Sequence, residues 1–146
     1  MAKRNNSILI LSWSVFPERT ASAILINNLA KVLGDQVVVV GEKSDLEFNL
    51  DKINYNIHHI NPFIINLQKG KHYHKWLSIF SSIKKVRAIA KANKVSAIFC
   101  PFPDEFFMFI AMRVCKMEGI KFFPWFHNTY LENRTGLRRV LAGFLQ

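Results

Sequence analysis

Residues 7–41 constrain this chain more than any other stretch. Ser7-Ile-Leu-Ile-Leu-Ser-Trp13 is a continuous apolar run of strand length. Ala21–Leu33 carries Leu25, Leu29, Ala30 and Leu33 at helical spacing, and Gln36-Val-Val-Val-Val-Gly41 is a second, β-branched run. Strands that are apolar on both faces must be covered on both faces, which is the condition of a parallel sheet. Between the first run and the helix lies Ser14-Val-Phe-Pro-Glu-Arg-Thr20, where Pro17, Thr20 and Ser22 are turn and helix-start signals. Gly34 stands where a C-terminal glycine cap belongs. Strand, loop, helix, strand is a βαβ unit with a right-handed crossover, and whatever follows must add to its sheet.

The remainder repeats the alternation. Residues 42–54 are polar and read as loop, Tyr55–Ile60 as a third strand, and residues 61–75 as a loop rich in Asn, Lys and His. Trp76–Asn93 reads as an amphipathic helix with Trp76, Ile79, Phe80, Ile83, Val86 and Ala90 on its inward face. Val95–Cys100 is a buried strand closed by Pro101-Phe102-Pro103, and Asp104 is an N-cap for a helix over Glu105–Glu118 that Gly119 ends. Phe106–Ile110 is apolar all round that helix, hence core or interface. Ile120–His127 is a last strand interrupted by Pro124, Asn128–Thr135 is loop, and a basic helix begins at Gly136. The expected architecture is a single α/β domain over residues 1–146, an open and mainly parallel Rossmann-like sheet with helices on both faces.

Composition removes other classes. Half of the 146 residues are hydrophobic, enough apolar surface to offset chain entropy, so the chain is not a disordered tail. Two cysteines, Cys100 and Cys115, make no disulfide framework and read as reduced, buried thiols. No apolar run approaches the ~20 residues a bilayer span requires. Met1-Ala2-Lys3-Arg4 is basic like the start of a signal peptide, but the apolar run behind it is too short and lacks a small-residue cleavage site. The expected location is therefore cytoplasmic. The sequon-like triplets Asn5-Asn6-Ser7 and Asn133-Arg134-Thr135 then carry no glycan.

In such sheets the ligand crevice lies beyond the carboxyl ends of the strands. That rule selects three loops: Ser14–Ser22, Pro101–Glu105 and His127–Glu132. The first has neither the G-x-G-x-x-G of dinucleotide binders nor a P-loop. It does set Arg19, Thr20 and Ser22 beside a helix N-terminus, which suits an anion; equally, Thr20 or Ser22 caps the helix. Asp104 and Glu105 are candidate paired carboxylates or, as well, a cap and a first-turn acid. His127 ends a strand and precedes Asn128-Thr129-Tyr130. A histidine there can serve as base or hydrogen-bond partner to a sugar hydroxyl, or stand as a structural residue at a strand end. His58, His59, His72 and His74 lack ligand spacing, and no metal is expected. Nor is there a G-x-S-x-G elbow or an activating neighbour for Cys100.

The net charge is +10, and it is unevenly placed. No acidic residue lies between Asp51 and Asp104, a stretch holding Lys52, Lys69, Lys71, Lys75, Lys84, Lys85, Arg87, Lys91 and Lys94. The helix from Trp76 therefore has a basic polar face, on which Lys84, Lys85 and Lys91 are candidate contacts to anionic headgroups at the inner face of a plasma membrane. An ordinary solvated face explains it too. Charge alone also fits nucleic acid, but no RNP, KH, zinc-finger or helix-turn-helix signature supports that partner.

Ile8–Val40 resembles the opening of family 4 glycosyltransferases of the GT-B type: a buried strand, a Pro-containing loop, a helix ending in Asn28-Leu29-Ala30-Lys31-Val32-Leu33, and a Val-rich second strand. Val95–Asn128 is similar to them as well, with a strand and Pro, a helix, Glu118-Gly119-Ile120, and a strand ending in His127. The resemblance implies the amino-terminal, acceptor-side half of a GT-B architecture. It implies that His127 contacts the transferred sugar and that the Ser14–Ser22 loop approaches the diphosphate of a nucleotide-sugar donor. Thr20-Ala21-Ser22 replaces the family's usual glycine pair in that loop.

Nothing here corresponds to the family's carboxyl-terminal donor domain. The expectation is thus a transferase half in envelope or polysaccharide assembly, acting on a glycan or lipid-linked acceptor and inactive without a second domain or partner chain. The rival is a non-catalytic basic α/β module that binds anionic membrane or a partner protein.

Overall fold

The computed structural model describes residues 7–44, 46, 53–61, 76–101 and 104–125. They form five parallel strands: β1 (Ser7–Ser12), β2 (Val37–Glu42), β3 (Asn56–Ile60), β4 (Val95–Pro101) and β5 (Lys121–Trp125). Three helices accompany them: α1 (Ala21–Leu33), α2 (Ile79–Ala92) and α3 (Glu105–Glu118). The strand order is β3-β2-β1-β4-β5, and every neighbouring pair is parallel. This is the open Rossmann-like α/β sheet that the alternation of apolar runs and helical segments predicts.

Side chains alternate across the sheet, so β1 splits into two cores. Leu9 and Leu11 point into a cluster with Val38, Val40, Ile98 and Cys100, covered by α2 and α3 through Ile83, Val86, Phe107 and Ile110. Ile10 points the other way, to Val37, Val39, Ile26 and Ala30 beneath α1. Helices therefore cover both faces, as expected. The two outermost strands are less buried than β1 and β2. Pro124 sits in β5, which pairs only with β4 among the described strands, and an edge strand tolerates a residue without an N–H.

Helix bounds follow local chemistry. The Thr20 hydroxyl accepts from Ala23 N (3.1 Å) to start α1, and Asp104 Oδ1 accepts from Phe107 N (3.0 Å) to start α3. Gly34 (φ 54°) and Gly119 (φ 66°) end these helices in backbone conformations that favour glycine, their N–H groups donating to Ala30 O and Cys115 O.

Two expectations need correction. The inward stripe of α1 is Ala23, Ile26 and Ala30, whereas Leu25 and Leu29 face outward with Ile24 and Val32. The helix is apolar on most sides, so periodicity alone does not choose its face. The helix expected over 76–93 opens with a 3₁₀ turn at Trp76–Ser78 before α2. Within α2, Ile79, Ser82, Ile83, Val86 and Ala90 are buried, and Phe80 is 82% exposed. α2 must face α3 as well as the sheet, and that rotates Ser82 in and Phe80 out. β5 is described over Lys121–Trp125, within the strand expected at 120–127; His127, the loop after it and the helix expected from Gly136 lie outside the described residues.

Candidate functional site

The sheet order places a topological switch point between β1 and β4. The chain leaves β1 toward β2 by way of α1 on one face, and leaves β4 toward β5 by way of α3 on the other. Loops departing to opposite faces open a crevice at the carboxyl ends of these two strands. Both helices start at that edge, so the positive ends of two helix dipoles lie there. Two of the three loops selected from sequence, Ser14–Ser22 and Pro101–Glu105, flank this crevice; Phe102 and Pro103 within the second lie outside the described residues.

The β1 loop is held from within. Ser14 is fully buried and its hydroxyl lies 2.6 Å from that of Thr20. Ser12, also buried, donates to the Ser14 carbonyl at 3.2 Å. Val15 presses on Gly41 of β2 so closely that a Cβ there would lie 2.2 Å from Val15 Cγ2, hence the glycine. Glu18 N donates to Val15 O (2.9 Å), and Glu18 Oε1 accepts from the Ser44 hydroxyl (2.6 Å), tying this loop to the one after β2. Arg19 is exposed and Ser22 is half-buried in the first turn of α1. Ser12 and Ser14 were not singled out from sequence, because serines flanking an apolar run read as its polar ends. Their signal was the hydroxyl series Ser12, Ser14, Thr20, Ser22 around one loop.

Of the substrate-binding candidates, Thr20 and Asp104 both act as helix caps. Glu105 follows in the first turn of α3 and is exposed. The Asp104 charge is felt at Cys100, whose thiol is pushed up first by burial and then by that carboxylate. Cys100 and Cys115 are both buried and free, so neither presents a thiolate nucleophile. His127, Asn128 and Thr129 lie outside the described residues, and so do His72 and His74. His58 and His59 lie on β3, with His59 Nδ1 3.2 Å from the Glu42 carbonyl. A shallow concavity lined by Gly34, Asp35, Ile53, Asn54, Tyr55 and Asn56 lies at the amino ends of β2 and β3, the opposite edge of the sheet from the crevice. Beside it the Tyr55 hydroxyl donates to Asn27 Oδ1 at 2.8 Å, and burial pushes its pKa up to about 12.

The basic face of α2 is partly answered in space. Glu118, at the end of α3, bonds Arg87 and stands 3.4 Å from Lys91 Nζ. The Arg87 hydrogen bond above all, then Lys91, holds the Glu118 carboxyl below its ordinary value. Lys84 and Lys85 are exposed. No described helix is long and apolar enough to cross a membrane.

No family model matches the chain, and no curated protein matches it significantly in sequence. Solved structures do match in fold. The C-terminal domain of the PF1911 hydrogenase from Pyrococcus furiosus is 14% identical with a TM-score of 0.55, over 83% of this chain and 92% of that one. A second structure of that domain gives 13% identity and the same TM-score. MurG from Acinetobacter baumannii is 14% identical with a TM-score of 0.53, over 94% of this chain but only 39% of the MurG chain. At these identities the likeness is one of architecture, and it supports a Rossmann-like fold.

Proposed function

We propose that this chain is the acceptor-side half of a GT-B sugar transferase, moving a sugar from a nucleotide-sugar donor to a glycan or lipid-linked acceptor in cytoplasmic steps of envelope polysaccharide assembly. The observation that carries the reading is the β1–β4 switch point, where the internally hydrogen-bonded β1 loop and the N-termini of α1 and α3 meet one edge of the sheet. The likeness to part of MurG, a GT-B glycosyltransferase, supports it at the level of fold. In this reading Arg19 and the first turn of α1 at Ser22 face the donor diphosphate. Thr20 and Asp104 shape the crevice by fixing the two helix starts, Glu105 lies on its rim, and Asn128 and Thr129 contact substrate. His127 is the catalytic candidate, accepting a proton from or hydrogen-bonding a sugar hydroxyl. The donor nucleotide would be held mainly by a further domain or a partner chain, and no metal or permanent cofactor is invoked.

The test is NMR titration of the labelled chain with nucleotide sugars and with polyprenyl-phosphate-linked acceptors. Shift changes are expected at Ser12–Ser22 and around Asp104, with none at Asn54–Asn56. Absence of any change, or changes confined to the Asn54–Asn56 concavity, refutes the assignment. Robust sugar transfer by the chain alone would refute the need for a second half.

A further inference from the structure

Phe80 was expected on the inward face of its helix, and the fold turns it outward beside Leu77: Leu77 is 69% and Phe80 82% exposed. They lie one turn apart at the start of α2, and the same outer stripe continues through Ser81, Lys84, Lys85, Ala88 and Lys91. That stripe contains no acid, and neither does the chain from Lys52 to Pro103. α3 packs beside α2 in the same layer and adds an exposed Met112 with Arg113 and Lys116. Glu118 answers Arg87 and Lys91 at the seam between the helices, which leaves the outer lysines Lys84 and Lys85 facing solvent.

We infer that the outer face of α2, with Leu77 and Phe80 as inserting side chains and Lys84 and Lys85 as headgroup contacts, docks on a bilayer rich in anionic lipid. Large apolar side chains ringed by lysine are the wrong chemistry for a solvated helix face and the right one for an interface: the apolar groups enter the acyl boundary while the ammonium groups stay among phosphates. A protein partner would need acids to meet this face, whereas an anionic leaflet supplies them as a continuous surface. α2 runs antiparallel to the strands, so Leu77 and Phe80 at its start lie toward the crevice edge of the sheet, with Met112 at the middle of α3. Docking would therefore bring that edge near the membrane surface. This inference does not depend on the transferase reading, because vesicle binding is measured with no nucleotide or acceptor present.

The experiment is co-sedimentation of the full chain with vesicles of phosphatidylglycerol and phosphatidylcholine in equal parts, against phosphatidylcholine alone. Binding is expected only to the anionic vesicles, and is expected to weaken between about 0.05 M and about 0.5 M salt as the screening length shortens. Lys84→Glu with Lys85→Glu should lower the partition coefficient at least about tenfold. Leu77→Ser with Phe80→Ser should lower it by about tenfold or more through lost insertion. Since all four side chains are exposed, circular dichroism and the thermal transition should be unchanged in both variants. The inference is overturned by absence of binding at low salt, by equal binding to both vesicle types, or by unaltered binding of the Leu77/Phe80 variant. A dimer in light scattering that the Leu77/Phe80 substitutions abolish would overturn it too, by showing that a second copy covers the face.

Discussion

Gly41→Ala is the sharpest probe of how the β1 loop is seated. The new methyl would lie 2.2 Å from Val15 Cγ2, 2.7 Å from Cγ1 and 3.0 Å from Cβ. Val15 is 1% exposed and belongs to the core under α1, so it cannot swing into solvent. Either the loop lifts or β2 bends, and overpacking of this severity costs about 3 kcal/mol. Val15→Ala alone removes two buried methyl groups, about 2 kcal/mol with the cavity that remains. The two changes are complementary, because Val15→Ala deletes both of the atoms that clash worst. The double variant should therefore be more stable than Gly41→Ala alone, and less destabilised than additivity predicts by at least about 1 kcal/mol. Urea unfolding followed by circular dichroism on the four proteins of the cycle measures this. Strict additivity would show that the loop does not rest on Gly41, and the packed geometry of the β1 loop would fall with it.

Three further outcomes follow from the same structure. Glu118→Gln should destabilise at neutral pH but not in acid. The Glu118 carboxyl titrates below its ordinary 4.5, so its contribution is whole above that value and disappears as pH falls through the lowered one. Urea midpoints of the two proteins that differ equally at pH near 7 and at pH near 3 would contradict the ion pairs with Arg87 and Lys91. Burial pushes the Cys115 thiol up to about 11 and raises Cys100 as well, so an aromatic disulfide reagent at mildly alkaline pH should label neither in the native protein and both in denaturant; rapid native labelling would contradict their burial. Asp104→Ala should cost about 1 kcal/mol by freeing the Phe107 N–H, and Asp104→Asn should restore most of it; equal stability of all three in thermal melts would remove the cap.

The element boundaries were legible because their causes are local. The helix over Ala21–Leu33 begins at a threonine that bonds its own third residue and stops at a glycine with positive φ, and the helix over Glu105–Glu118 does the same with Asp104 and Gly119. A residue's reach along the chain suffices for such decisions. The β1–β4 crevice was legible too, once alternating apolar runs implied a parallel sheet, since loops at strand carboxyl ends follow from direction alone. Rotation of each helix was another matter. α1 offers leucine or isoleucine on most sides, and only its packing onto β1 and β2 selects Ala23, Ile26 and Ala30. The Ser12–Ser14–Thr20 hydroxyl network was hidden for the same reason: its members meet through a loop whose path is set by Val15 resting on Gly41, distant in sequence.

For this protein, the amino-acid sequence alone determined the order of strands and helices, the capped ends of α1 and α3, that the sheet is parallel, and which two loops border the described crevice. Those are consequences of hydrophobic period and of caps, interactions that span a few residues. Only the tertiary structure decided that Phe80 and Leu77 face outward, that Glu118 answers Arg87 and Lys91, and that Thr20 closes the β1 loop on Ser14. Each of these depends on which neighbour a face meets, and that is settled when helices compete for the two sides of one sheet.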